Sequence, residues 1–502
     1  MKKIASMALV LILALALTVP ALAATTYTIS VETGNTHQYE VYQIFTGDFF
    51  NELGVKILSN VKWGKNGTGI EGNSVDESVL TALKDLNAEG KSNREKLNVI
   101  LTYAKLNSEK YGVVSNSSPL TNVPAGYYLI KDVDGKYNGK YDAYTTYIVQ
   151  VADNVVIIPK TGVPTVDKKI IDGSNESKSG DYNIGDDVTF RLTGTLPANY
   201  DDYASYKYVF HDTLSLGLTY KDNSAKVYVK NGDSDPINVT TSFRVNLSVN
   251  EGKLDISCDD LKTIVIENVT INKDSKIIVE YNAKLNANAD IGNPGNKNEV
   301  YLEFSNNPNW DGNGDKPTGN TPKDEVKVFT FELDVTKVDA SDNTKKLSGA
   351  EFKLRNADGK WVTVDANSKV TGWSDTEEGG STLTTDTNGL IKVIGLEEGT
   401  YKLKETKAPN GYNLLEAEIT IVIDAEYNET DGVTKLTIKV GDGLPTDGVI
   451  DSGIVGMTVE NNKGATLPET GGIGTTIFYV AGGVLVVGAL IVLITKKRMA
   501  AK

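Results

Sequence analysis

The chain has 502 residues, with 66 Asp and Glu against 51 Lys and Arg, and a formal net charge of −15. That negative surplus disfavours nucleic acid and anionic membrane surfaces as partners. One cysteine, Cys258, excludes an intramolecular disulfide, and the two histidines, His37 and His211, fall in different domains, so no zinc or Ser/His/Asp constellation can be assembled within one site.

Residues 1–23 read as a secretory signal. Lys2 and Lys3 precede an apolar run over 8–17, and Ala21-Leu22-Ala23 forms a small-residue cleavage site, so that the mature chain starts at Ala24. The apolar run is too short to span a bilayer. A first domain follows over 24–160. Tyr27, Ile29 and Val31, then Tyr39 and Val41, alternate as strands do. Val79, Leu80, Leu83 and Leu86, then Leu97, Ile100 and Leu101, follow helical spacing. Strands return at 126–130 and 147–158, and Pro159 closes the last of them because proline cannot donate to a ladder.

A second domain, over 161–328, is dense in Val, Ile, Thr and Tyr runs cut by Gly, Asn and Asp, the pattern of a β-sandwich. Its His211, like His37, and its Cys258 read as surface or packing residues. The polar stretch 306–323 reads as a linker. Within it Asp311, Asn313 and Asp315 resemble half of a calcium loop, but the glycine and glutamate that should follow are missing. A solvated turn is expected there, with no metal and no cofactor anywhere in the chain. A third domain, over 329–464, is read as a smaller sandwich with strands at 352–354, 401–403, 419–423 and 436–440. The segment 465–502 closes the chain. Its apolar stretch 473–495 is long enough to cross a membrane, and Lys496, Lys497 and Arg498 should stay cytoplasmic. The fold class is therefore mainly β: tandem immunoglobulin-like sandwiches, a partly helical N-terminal domain, a signal peptide and a C-terminal transmembrane helix.

Leu467-Pro468-Glu469-Thr470-Gly471, followed by a span and a basic tail, resembles the cell-wall sorting signal of Gram-positive surface proteins. The resemblance implies that a sortase cysteine attacks the Thr470 carbonyl, releases Gly471 onward and passes Thr470 to an amine. The membrane tether would raise the effective concentration of the scissile bond. The run Val155-Val156-Ile157-Ile158-Pro159-Lys160 is similar to the pilin motif, whose lysine is the acceptor in sortase-built pili. It departs from that motif in having Ile158 for the usual tyrosine.

The second domain also resembles the fimbrial isopeptide-formation domain, of collagen-adhesin A-like type, and the third resembles the collagen-adhesin B-type module. The run from Tyr401 through Glu405 to Pro409 matches the E-box of the latter. In such modules a lysine bonds to an asparagine with help from a carboxylic acid, and all three must be buried together. Burial favours the neutral amine that attacks and the protonated acid that polarises the amide.

Strand parity selects the residues, since alternate side chains share a face. Lys337 continues the parity of Phe331, Leu333 and Val335; Glu405 that of Tyr401 and Leu403; Asn461 that of Met457 and Val459, which disfavours its neighbour Asn462. In the second domain Lys168 lies on one face with Val166 and Ile170, while Lys169 falls on the other. Asp212 follows Tyr208 and Phe210, and Asn298 precedes Val300, Leu302 and Phe304. The first domain offers no such set.

Together these features imply a structural subunit of a covalently polymerised pilus, linked from Thr470 of one copy to Lys160 of the next. Apart from the self-reacting triads, no turnover catalysis is expected. The implied partners are class C and housekeeping sortases, identical subunits, ancillary pilins, peptidoglycan and host surface ligands. The alternative is an adhesin or ancillary pilin joined to peptidoglycan as a monomer.

Overall fold

A computed structural model describes residues 26–34, 37–52, 55–86, 93–133, 146–157, 162–266, 270–308, 310, 316–428, 432–464 and 473–499. The signal segment 1–23, Lys160, the acidic turn at 311–315 and the motif at 467–471 lie outside the described residues. Two compact units are present: Met1–Thr330 with Glu426–Thr434, and Phe331–Ala425 with Lys435–Lys502.

The N-terminal part of the first unit is built around the strand Gly126–Asp132. Tyr127 and Leu129 enter one core, and Tyr128 and Ile130 enter another. A strand covered on both faces reads as an unbroken apolar run, which is what Tyr127 to Ile130 show. It belongs to a five-stranded antiparallel sheet with Gln38–Glu52, Val55–Trp63, Thr146–Val151 and Gly112–Ser115. Helices Glu77–Asp85 and Asn93–Leu101 cover one face through Val79, Leu83, Leu97 and Ile100. The strands Thr26–Val31, Leu120–Pro124 and Val155–Ile157 form a three-stranded sheet that covers the other. The stretch 147–158, expected as one strand, is two. Ala152, Asp153 and Asn154 turn the chain from one sheet to the other, and the Asn154 side chain accepts a hydrogen bond from the Thr28 amide at 2.9 Å.

The second part of this unit is a sandwich of two seven-stranded sheets. The first has Val166–Asp172, Asp187–Thr195 and Ser275–Leu285 at its centre. The second runs through Asp324–Phe329, Asn296–Ser305, Tyr208–Leu214 and Lys253–Cys258. Alternation orders the central strands: Ile277, Val279, Tyr281 and Ala283 face in from one sheet, and Tyr208, Phe210, Asp212 and Leu214 from the other, although Val209 is buried as well. Cys258 is buried and free. The 306–323 stretch is more than a linker, because Thr318–Asn320 folds back as a strand on Asn296–Ser305. Thr321 holds it there by accepting the Leu302 amide at 2.9 Å.

The second unit packs an eight-stranded sheet, centred on Glu351–Arg355, Gly399–Lys407 and Ile419–Asn428, against a four-stranded one. In the smaller sheet Phe331–Asp339 pairs in parallel with Ile454–Asn461, so the first and last strands of the sandwich lie side by side. The helix Ile473–Met499 is without charge as far as Thr495 and ends on Lys496, Lys497 and Arg498, with Phe478, Leu485, Ile491 and Leu493 exposed. Its 27 residues reach about 40 Å at 1.5 Å per residue, enough to cross a bilayer.

Both histidines are paired. His37 is buried, with Nδ1 2.8 Å from Asp132 Oδ1. His211 faces out of the second sandwich, stacked on Tyr301, with Nδ1 2.7 Å from Asp255 and Nε2 2.9 Å from Glu303. Burial alone would lower the His211 pKa, but hydrogen bonds to Glu303 and Asp255 outweigh it and raise the pKa above the ordinary histidine value. His211, and Lys207 at 2.7 Å, hold Glu303 at about 2. The imidazolium therefore stabilises the fold fully below its unfolded pKa, about 6.5. That contribution is lost as pH rises through the higher folded value. Glu303 contributes above its own unfolded pKa and loses that contribution as pH falls towards 2. Thermal unfolding of this sandwich should shift to lower temperature as the pH is raised above about 6.5, and His211→Gln should flatten that slope. An unchanged slope in the variant would mean that His211 does not supply it.

Candidate functional site

Four polar side chains meet inside the core of the second sandwich. Lys168 projects inward beside Ile170 from Val166–Asp172, whereas Lys169 does not. Asp212 and Asn298 project from the facing sheet, where Asp212 is paired with Val300 and Leu214 with Asn298. All three are at most 1 % exposed. Lys168 Nζ donates to Asp212 Oδ2. The rings of Phe190 and Tyr281 stand 5.4 and 5.5 Å from the same nitrogen and wall it from water.

The fourth group, Tyr281, is absent from the sequence-based set. Its parity with Ile277 and Val279 marks it as inward-facing, but an inward tyrosine reads equally well as packing. Its hydroxyl donates to Asp212 Oδ1 at 2.9 Å and accepts from Asn298 Nδ2 at 2.7 Å and from Lys168 Nζ at 3.2 Å. Burial drives the Lys168 pKa down and the Asp212 pKa up, each against the pull of the other. Both shifts favour a neutral amine beside a neutral acid, the pair that attack on an amide requires.

The third sandwich assembles the same chemistry differently. Lys337 and Asn461 lie on the adjacent parallel strands, where Lys337 is paired with Val459 and Asp339 with Asn461, so the two side chains are diagonal neighbours on one face. Glu405 comes from the facing sheet, on Gly399–Lys407. Lys337 Nζ donates to Asn461 Oδ1 and lies 3.4 Å from Glu405 Oε1. Asn461 Nδ2 donates to both Glu405 oxygens, at 3.0 and 3.2 Å. The Leu415 amide fixes the carboxyl by donating to Oε2 at 2.8 Å. Burial lowers the Lys337 pKa. Asn462 is exposed, and Asn461 is buried.

Parity thus brings together Lys168, Asp212 and Asn298 in one core and Lys337, Glu405 and Asn461 in the other. Each cluster holds an amine, an amide carbon and an acid with water excluded. Among the described residues no group of three or more His, Cys, Asp or Glu could hold a metal ion. Lys160 and Leu467, Pro468, Glu469, Thr470 and Gly471 lie outside the described residues.

Three family models match the chain. Residues 184–308 match the Gram-positive pilin backbone subunit 2, Cna-B-like domain; 331–439 match a prealbumin-like fold domain; and 459–500 match the LPXTG cell wall anchor motif. The first carries the Cna-B-like description where the sequence reading expects a collagen-adhesin A type. The trypsin-resistant surface T6 protein of Streptococcus pyogenes is 25% identical over 439 residues, covering 75% of this chain and 74% of that protein. Fimbrial subunit type 1 of Actinomyces viscosus is 25% identical over 386 residues, covering 69% and 66%. The solved structure of the three-domain T6 backbone pilin of Streptococcus pyogenes serotype M6 matches with a TM-score of 0.50 and 17% identity, over 89% of this chain and 100% of that one, and shows the shared fold.

Removing one member of a buried pair leaves the other without compensation unless it keeps a good hydrogen bond to a third group. Asp212→Ala leaves the buried Lys168 amine with only its longer hydrogen bond to the Tyr281 hydroxyl, at 3.2 Å, beside the Phe190 ring. Lys168→Met leaves Asp212 hydrogen-bonded to Tyr281. In guanidinium unfolding, Asp212→Ala should be the less stable by about 3 kcal/mol. Equal stabilities would show that water reaches the amine.

Proposed function

We infer that this chain, which belongs to the Gram-positive backbone pilins carrying an LPXTG cell-wall anchor, is the repeating structural subunit of a covalent surface fibre. The observation that carries this reading is the pair of dry amine, acid and amide clusters in consecutive sandwiches, upstream of a sorting signal and an apolar helix. The chain is a structural protein and a substrate of sortase. Its assembly partners are other pilin subunits.

Two kinds of amide bond follow. Between copies, sortase breaks the bond from the Thr470 carbonyl carbon to the Gly471 nitrogen, and Lys160 Nζ of the next copy takes the acyl group. The join is head to tail, so it generates an open filament rather than a closed ring. In the sequence Lys160 falls between the strands Val155–Ile157 and Val166–Asp172. A class C sortase suits the lysine transfer. A housekeeping sortase suits the final transfer to peptidoglycan, and ancillary pilins and host ligands would be met at the fibre's ends and flanks.

Within each copy, Lys168 bonds to Asn298 and Lys337 to Asn461. The amine attacks the side-chain amide carbon, the nitrogen–carbon bond forms, and the amide nitrogen leaves as ammonia. Asp212 and Glu405 hold the protons in transit.

The full-length chain made in cells without sortase should be lighter by about 17 Da for each bond, two ammonias in all. Glu405→Ala should retain one of the two losses. Restoring sortase should give a ladder of polymers. Lys160→Ala should abolish the ladder yet leave wall-bound monomer, whereas an unchanged ladder would point to another acceptor, and a wild-type chain without any ladder to the anchored monomer.

A further inference from the structure

The two clusters differ in one respect. In the third sandwich the acid touches the amide directly, with Asn461 Nδ2 at 3.0 and 3.2 Å from Glu405. In the second, no hydrogen bond joins Asp212 to Asn298. The Asn298 amide makes one hydrogen bond, to the Tyr281 hydroxyl at 2.7 Å, and its Oδ1 is buried without a partner. Tyr281 in turn donates to Asp212 Oδ1 at 2.9 Å, while Lys168 donates to the other oxygen, Oδ2.

We propose that Tyr281 is a catalytic residue of the second cluster: the proton relay that connects the acid to an amide with which it shares no hydrogen bond. This rests on the reading that Lys168 and Asn298 become bonded. The hydrogen bonds close a path from Lys168 Nζ to Asp212 Oδ2, through the carboxyl to Oδ1, to the Tyr281 oxygen, to Asn298 Nδ2. The neutral amine adds its lone pair to the Asn298 side-chain carbon, and the carbonyl π pair moves to Oδ1. The attacking nitrogen passes one proton to Asp212, whose other oxygen passes one to Tyr281. The phenol passes its own proton to Nδ2. As the carbonyl re-forms, the carbon–Nδ2 bond breaks and ammonia leaves. Acid and phenol end as they began. The hydroxyl hydrogen needs only to turn from Oδ1 towards Nδ2, a rotation about one C–O bond. Burial keeps the phenol protonated. Glu405 needs no such partner because both ends of the third reaction lie against its carboxyl.

The test uses the full-length chain in cells lacking sortase. After a pulse of labelled amino acids, the joined Lys168–Asn298 and Lys337–Asn461 peptides are followed in time by mass spectrometry. Tyr281→Phe keeps the ring and removes the relay. It should slow the Lys168–Asn298 bond on the order of a hundredfold, the scale of a lost general acid–base. The Lys337–Asn461 bond, in the same molecule, should keep its rate. Amide hydrogen exchange over Ser275–Leu285 reports whether the variant sandwich has folded. If it has not, trifluorotyrosine at 281 keeps both shape and hydroxyl while making the phenol more acidic. A relay then shifts the rate and its pH profile; a packing role leaves both unchanged. Equal rates for wild type and the folded Phe variant, or an unmoved profile with trifluorotyrosine, overturn the relay alone. A wild-type chain with no Lys168–Asn298 peptide overturns the bond itself and the relay with it.

Discussion

The architecture turns on the burial of an amine, a carboxylic acid and a primary amide in one dry space. In water the amine would be protonated and the acid ionised, and neither would act on an amide. Inside a sandwich about 10 Å thick the charged forms are penalised, which lowers the pKa of Lys168 and of Lys337 and raises that of Asp212. The core must first close around the three groups, since burial is what supplies the chemistry. The order of events is therefore folding, then bonding: a bond of this kind locks a fold already reached. The aromatic walls at Phe190 and Tyr281 serve both stages, packing the core and keeping water from Lys168.

The two sandwiches place that chemistry differently. In the second, Lys168 and Asn298 belong to facing sheets, so a bond between them would clamp the two layers together. In the third, Lys337 and Asn461 belong to adjacent parallel strands at the start and end of the sandwich. Tension entering at Phe331 and leaving beyond Asn461 would otherwise shear those strands. A bond there would carry the load straight across, sparing the chain between two residues 124 apart in sequence. Closing a loop of that length restricts the unfolded chain by about 5 kcal/mol on a chain-entropy account, as for a disulfide. With Cys258 as its only cysteine, the chain has no sulfur route to the same end.

Much of this was legible in strand alternation. Because one step of register exchanges the faces of a strand, Lys168 separates from Lys169, and Asn461 from Asn462, before any coordinates are known. Tyr281 was not legible: it obeys the same parity as Ile277 and Val279, and only its distances to Asp212 and Asn298 set it apart from a packing tyrosine. The division of 147–158 into two strands was missed because both halves are apolar and the turn at Asp153 and Asn154 is short. The return of Thr318–Asn320 to its sheet was masked by Gly, Asn and Pro neighbours that read as loop. The mainly β class, the helical pair over the first core and the C-terminal apolar helix are set by periodicity and length, which a single sequence displays.

The same bond, a lysine nitrogen on an acyl carbon, is thus asked for in two ways. Within a sandwich it needs no enzyme, because the reacting groups are held together and dried by the fold itself. Between copies the groups would meet only through a partner, and the proposed acyl donor, Thr470, lies in a linear motif of the kind a sortase reads. That difference explains why the two signals look so unlike in the sequence. An enzyme-read site must be a contiguous string, and Leu467 to Gly471 is one. A self-reacting site is scattered over more than a hundred residues and becomes a site only when two sheets close. On the proposed reading, inter-copy links would set the length of a fibre, and the buried bonds would decide how much force each link between them can pass on.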